Sequence, residues 1–182
     1  MRELSLHILD IVQNAIAAEA SKIEILIKED LSENVFKIKI IDNGKGIARD
    51  KLEQITDPFT TSRTTRPVGM GLPLFKEAAK RCAGDLLIDS NLGQGTEITV
   101  FFEHDHIDRA PMGDIKETLL SLISLNPEID FFYEHYYNNQ RFYFDTEEIK
   151  EELDDVEINQ REVLNWIREY IEEGLKEIYG GD

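Results

Sequence analysis

Ile40-Ile41-Asp42-Asn43-Gly44-Lys45-Gly46-Ile47 is the stretch on which the fold turns. Ahead of it, Val35-Phe36-Lys37-Ile38-Lys39-Ile40-Ile41 alternates apolar and polar residues, the period of a half-buried strand. That strand delivers Asp42 to a turn with glycines two apart, Gly44 and Gly46. Glycine admits positive φ and lets a flat ligand approach the backbone with no Cβ in the way. A carboxylate at the end of a buried strand is costly unless a donor meets it. Asp-Asn-Gly is also an ordinary turn sequence, so this stretch alone does not separate a site from a bend.

Working outward, residues 3–20 place Leu4, Ile8, Ile11, Val12, Ala15 and Ile16 at a helical period. His7, Asp10 and Asn14 follow at steps of three and four and share a stripe beside the apolar one. Residues 21–28 and 34–42 read as strands, with 29–33 as a polar hairpin turn. A short helix is expected over 49–55. The run Asp57-Pro58-Phe59-Thr60-Thr61-Ser62-Arg63-Thr64-Thr65-Arg66-Pro67-Val68 suits a loop rather than an element interior. Gly69-Met70-Gly71-Leu72 opens a helix to about Ala83, stopped by Gly84. Residues 86–90 and 96–102 read as strands joined by Asn91-Leu92-Gly93-Gln94-Gly95.

Composition shifts near Glu103, which divides the chain into a domain over 1–103, a polar linker over 104–113 and an acidic α+β appendage over 114–182. In the appendage a helix over 114–125 has Asp114 as its N-cap. Strands over 129–137 and 141–144 flank Asn138-Asn139, a short helix follows over 146–153, and Asn159 caps a long final helix to Ile178. The tail aromatics, among them Phe131, Phe132, Tyr133, Phe142 and Phe144, suffice for a small core or a docking surface.

The chain has 182 residues, 41% of them hydrophobic, and a net charge of -17. Such a field repels nucleic-acid phosphates, which disfavours a duplex-binding role and permits basic protein partners. One cysteine, Cys82, rules out an internal disulfide framework. No apolar run approaches the ~20 residues that span a bilayer, so no membrane role is expected and the cytoplasm is the simplest location. The Walker A lysine pattern is absent.

Four boxes recur in order: Asp10-xxx-Asn14-Ala15, Asp42-x-Gly44-x-Gly46, Gly69-x-Gly71-Leu72 and Gly93-x-Gly95-Thr96. With Asp57-Pro58-Phe59-Thr60-Thr61-Ser62-Arg63 between the second and third, residues 3–103 resemble the GHKL, or Bergerat-fold, ATPases. These include sensor histidine kinases, gyrase B, the ninety-kilodalton heat-shock chaperones and the mismatch-repair ATPases. The seven-residue run looks like the phenylalanine box and lid entry of the histidine kinase branch. The resemblance implies an α/β two-layer sandwich, a mixed, mainly antiparallel sheet covered on one face by helices, with the small α+β appendage added.

It also implies ATP and Mg2+ as cofactors. Asp42 would accept from the adenine amine, Gly44 and Gly46 would admit the base, and Thr96 would support Asp42 and a bridging water. Asn14 would hold the magnesium ion, which prefers oxygen ligands. Asp10 stands where the family often carries glutamate to orient or deprotonate a water; it is one carbon shorter, which puts strong hydrolysis in doubt. Gly69, Met70, Gly71 and Leu72 would offer backbone N–H groups and a helix start to the phosphates. Thr61, Ser62 and Arg63 would reach the phosphates from the lid, with Arg66 as a further cation there. Each has an ordinary reading too: a strand threonine, an exposed helix charge, a solvated loop cation. His7 is expected to pack or face a partner rather than accept phosphate.

Beginning at the first ATPase helix, the chain is expected to lack the phosphoacceptor hairpin of sensor kinases, and its tail looks too short for the transducer domain of gyrase-like proteins. The reading is therefore an ATP-dependent protein kinase or signalling module acting on a separate protein. Serine kinases that act as anti-sigma factors are a close variant; a nucleotide-sensing protein with little turnover and a slow ATPase are alternatives. Partner identity and oligomeric state are left open.

Overall fold

The computed structural model describes residues 3–56 and 71–180, without the side chains of residues 53, 54 and 56. In order the elements are α1 (Leu4–Ala17), β1 (Lys22–Asp30), β2 (Val35–Asp42), α2 (Arg49–Thr56), α3 (Gly71–Arg81), β3 (Asp85–Asn91), β4 (Gly95–Glu103), α4 (Ile115–Leu125), β5 (Asp130–Tyr137), β6 (Gln140–Asp145), α5 (Thr146–Glu152) and α6 (Arg161–Ile178). Among the described residues the strands form one sheet in the order β3-β4-β2-β1-β5-β6. Neighbours are antiparallel except β1 and β5, which run parallel.

This is the expected two-layer fold. Strict alternation along β1, β2 and β4 sends Ile23, Ile25 and Ile27, then Phe36, Ile38 and Ile40, then Ile98, Val100 and Phe102 to one buried face. They meet across the ladder, Ile25 opposite Ile40 and Ile40 opposite Ile98. The apolar stripe of α1 (Leu4, Ile8, Ile11, Val12) and that of α3 (Leu72, Phe75, Ala79) close the same core. The opposite face carries Lys39 in an ion pair with Glu97 at 2.7 Å and stays partly exposed. The two hydrophobic layers are thus dictated by period two in the strands and 3.6 in the helices.

The segment after Glu103 continues this sheet: β5 lies alongside β1 with Ile25 opposite Tyr133, and β6 is the edge. Residues 104–113 are tied down. The carbonyls of Pro111 and Met112 accept from Leu4 N at 2.9 Å and Ser5 N at 2.8 Å, satisfying N–H groups that open α1 without an internal partner. Asp114 caps α4 as expected, accepting from Glu117 N at 3.0 Å. Gln160, not Asn159, occupies the N-cap of α6, and its side chain makes no capping bond. The turn Gln160 N to Glu157 O shifts the start by one residue.

A second difference has larger consequences. Residues 29–33 are expected from sequence to be a polar turn, yet β1 runs to Asp30 and Glu29 lies on the buried face at 6% exposure. Its carboxylate accepts from Tyr179 Oη, pairs through Oε1 with His135 Nε2 at 2.9 Å, and through Oε2 with His104 Nε2 at 2.8 Å. His135 Nδ1 lies 2.7 Å from Tyr133 Oη. Burial alone would raise the Glu29 carboxyl, but the bonds from His135, Tyr179 and His104 outweigh it and hold it at about 2.

A carboxyl held below its unfolded value stabilises the fold fully above that value and loses the effect as pH falls toward the folded one. Moving from 4.5 to about 2 corresponds to about 3 kcal/mol. Glu29→Gln is expected to cost about that much at neutral pH and to flatten the acid limb of stability between about pH 5 and pH 2. Urea titrations at several pH values check both; equal acid sensitivity in the two proteins would reject the assignment.

Candidate functional site

One end of the buried face is polar. Asp42 ends β2 with its side chain inward at 9% exposure, opposite Thr96 of β4, which lies opposite Ser90 of β3. Strand parity makes this row: Asp42 follows Phe36, Ile38 and Ile40 on the inward set. Asp42 Oδ1 accepts from Gly44 N at 2.8 Å, closing the turn locally. Burial raises the Asp42 carboxyl above its ordinary range, and backbone N–H groups of Gly44 and Thr96 partly oppose this.

Ser90 holds the row together. Its Oγ accepts from Ile47 N at 2.8 Å, donates to Gly95 O at 2.9 Å and lies 2.8 Å from Thr96 Oγ1. With its one proton given to Gly95, Ser90 receives that of Thr96. Thr96 is therefore oriented beside Asp42 by a residue the sequence reading passed over. Parity with Leu86 on β3 turns Ser90 inward, but which groups it meets is set by the cross-strand register.

The glycine turn is gripped from three sides. Asn43 Oδ1 accepts from Ser21 N and Lys22 N, each at 2.9 Å, and Asn43 Nδ2 donates to Ser21 Oγ. Lys45 N donates to Ala18 O at 2.9 Å, just past α1, and Gly93 N donates to Lys45 O at 2.7 Å from the β3–β4 hairpin. Gly46 takes φ +69° and a Cβ there would stand 2.0 Å from Asn91 O; at Gly95, φ +98°, it would stand 1.9 Å from Asp42 O.

On α1, Asp10 and Asn14 are half-buried one turn apart. Gly71 opens α3 directly against Asp10: a Cβ at Gly71 would lie 3.0 Å from Asp10 Cβ and 3.1 Å from its Oδ2. Leu72 beside it is buried in the core. His7, a turn before Asp10, is 2% exposed and stacks on Phe75 with centroids 4.5 Å apart and planes 7° apart. Burial lowers its pKa, and its Nδ1 has no hydrogen-bond partner among the described residues.

The structure thus brings Asp42, Gly44, Gly46 and Thr96 together at one sheet end, and Asp10 together with Gly71. Asn14 lies one turn before Ala18, whose carbonyl holds the glycine turn. The Phe59 box, Thr61, Ser62, Arg63, Arg66, Gly69 and Met70 lie outside the described residues.

Residues 2–106 match the profile of the histidine kinase-, DNA gyrase B- and HSP90-like ATPases. The chain belongs to that family. Similar curated proteins include a putative sensor protein of Shewanella frigidimarina, 32% identical over 103 residues, covering 56% of this chain and 16% of that one. Sensor protein BceS of Halalkalibacterium halodurans is 32% identical over 108 residues, covering 57% and 32%. Sporulation kinase D of Bacillus subtilis is 38% identical over 63 residues, covering 35% and 12%. The chain therefore spans a third or less of the length of these three relatives. Among solved structures, the Aquifex aeolicus MutL ATPase domain complexed with ADP aligns over 100% of this chain and 70% of its own at a TM-score of 0.50 and 13% identity, a likeness of fold.

The glycines of the turn make a graded test. Gly93 has φ +78° but open space around its missing Cβ, so Gly93→Ala is expected to cost only about 1 kcal/mol of backbone strain. Gly46→Ala and Gly95→Ala meet backbone carbonyls and are expected to cost at least about twice that. Denaturation midpoints of the three variants give the order; equal costs would show that the close approach is not what selects glycine.

Proposed function

We propose that the chain binds ATP at the Asp42 end of the sheet and passes the γ-phosphoryl group to a separate protein in signalling. ATP binding is what membership of the ATPase family implies. The observation that most supports this location is Asp42 itself: a buried carboxylate, braced by Gly44, Thr96 and Ser90, beside a turn where glycine alone fits. An acceptor of that kind suits the adenine amine, and a base lacking the donor would leave it unpaired.

Gly44 and Gly46 then admit the base, and Thr96 steadies Asp42. Asn14 is the candidate magnesium ligand; its neutral carboxamide oxygen suits a hard cation, which would neutralise phosphate charge when bound. Gly69, Met70, Gly71 and Leu72 supply the helix start near the phosphates, and Thr61, Ser62 and Arg63 complete the phosphate contacts. Asp10, placed against Gly71, orients the attacking nucleophile. In the transfer an acceptor atom of the partner forms the new bond to the γ-phosphorus, the bond to the β–γ bridging oxygen breaks, and ADP leaves with that electron pair. Residues 3–103 carry the nucleotide, and residues 114–182 are left to meet the partner.

One observation favours a second reading. Asp10 carries a shorter side chain than glutamate and abuts the α3 backbone, which suits holding nucleotide more than activating water. On that reading the protein is a nucleotide-dependent switch with little turnover.

Calorimetry with MgATP tests the site. Asp42→Asn is expected to weaken binding by about 100-fold, the worth of a charged hydrogen bond replaced by a mismatched amide. Chelation of magnesium is expected to weaken it as well. Unchanged affinity in the variant would remove Asp42 from the site. Incubation with γ-labelled ATP and candidate partners then separates the readings: label on a partner supports transfer, and tight binding without transfer or phosphate release supports the switch.

A further inference from the structure

A groove far from Asp42 has a chemistry that the nucleotide site does not use. It lies between the β6–α5 junction and α6, with a volume of about 340 Å3. Trp166 and Tyr170, one helical turn apart on α6, stack along one wall with centroids 5.4 Å apart and planes 10° apart. Tyr143 of β6 faces the same space, and Asp145, Glu148 and Glu152 rim it. No lysine, arginine or histidine lines the groove, and neither Glu148 nor Glu152 forms a salt bridge among the described residues. The larger groove near Gly113 differs: it carries Lys116 and Lys176, both paired with Glu172.

The aromatics are costly to leave open. Trp166 is 51% exposed, Tyr170 41% and Tyr143 40%, while Val163, Ile167 and Ile171 already supply the core face of α6. Tyr170 also packs on the core residue Phe142, with centroids 5.5 Å apart, yet each of the three rings keeps two fifths or more of its surface open. Ring faces next to unpaired carboxylates attract a cation twice, by the ring quadrupole and by charge. The surface already shows this preference within the chain: the Arg141 guanidinium sits 4.9 Å over the Tyr143 ring while bonded to Glu134.

We propose that this groove docks a basic segment of a partner protein, inserting an arginine or lysine side chain between the Trp166–Tyr170 wall and the Glu148 and Glu152 carboxylates. The inference is independent of the nucleotide reading. Charge complementarity selects the occupant: an acidic partner would meet the rim with like charge, and a purely apolar one would leave both carboxylates buried without a partner.

Trp166 is the sole tryptophan, so its emission reports this groove alone. The probe is a short fluorescein-labelled peptide of alternating glycine and arginine, with a glycine–glutamate peptide as counterpart. Saturable quenching of Trp166 by the arginine peptide alone is expected, together with a rise in peptide anisotropy. Glu148→Gln with Glu152→Gln is expected to weaken binding about tenfold, and Trp166→Ala by a similar factor read by anisotropy, with Trp166→Phe retaining most of it. A control with Glu33→Gln and Asp108→Asn has the same net charge and is expected to change binding less than about twofold. Equal losses in the two double variants would show attraction to acidity in general and overturn the proposal. So would the absence of saturable quenching, or a dimer in sedimentation that Trp166→Ala abolishes, which would make the occupant a second copy of this chain.

Discussion

Everything at the site end of the sheet depends on the close approach of two backbones, the end of β2 and the start of β4. Asp42 and Gly95 stand so near that any side chain at residue 95 would strike the Asp42 carbonyl. That contact lets the β3–β4 hairpin reach over the glycine turn, so that Gly93 N can bond Lys45 O and Ser90 can bond Ile47 N, Gly95 O and Thr96 together. Within this frame the Asp42 carboxylate is held by the bond it accepts from Gly44 N at 2.8 Å. A carboxylate fixed before any ligand arrives presents its lone pairs at no cost in reorganisation, the condition under which one hydrogen bond discriminates strongly.

The opposite end of the buried face meets the same physical problem by other means. Glu29 is a charge inside the core, and it persists because donors arrive from three separate stretches: His104 after β4, His135 of β5 and Tyr179 at the end of α6. Desolvating a carboxylate costs several kcal/mol unless such donors are present. The bonds thus couple β1 to the C-terminal elements, since withdrawing any one donor leaves a buried charge short of a partner. Arg109 strengthens the junction by lying 4.7 Å over the Phe36 ring and donating to the His104 carbonyl.

These two ends explain what could be read from the chain and what could not. The layers, the strand parity and the DxGxG turn were legible because hydrophobic period and glycine are local signals. The link between Asp42 and Thr96 came from the family resemblance, and the strand register sets the two opposite each other. Ser90 and Glu29 escaped notice for a common reason: their roles lie in cross-strand and tertiary partners. A serine near a hairpin and a glutamate among Glu29-Asp30-Leu31-Ser32-Glu33 look like solvated polar residues until register sets Ser90 opposite Thr96 and β5 brings His135 beside β1. The parallel β1–β5 pairing was equally out of reach, because nothing local in either strand announces a neighbour so far along the chain. Asn159 failed as a cap for the converse reason: the local signal was present, but a turn from Glu157 to Gln160 moved the helix start past it.

The acidity of the chain then acquires a geometric meaning. A triphosphate would be repelled by a net charge of -17 if that charge surrounded its site. Along the ladder, however, Asp42 lies opposite Ile23, Ile23 opposite Phe131, and Asp145 of β6 pairs with the next residue, Phe132. Three strand spacings, ~14 Å, separate β2 from the edge strand where the carboxylate-rich groove begins. That distance exceeds the Debye length of ~8 Å at physiological salt, so the acidic edge is largely screened from the Asp42 end. On the proposed reading, one sheet would offer a polyanion site at its centre and an anionic, aromatic surface at its margin without either opposing the other, and a cationic partner seated at the margin would leave the centre open.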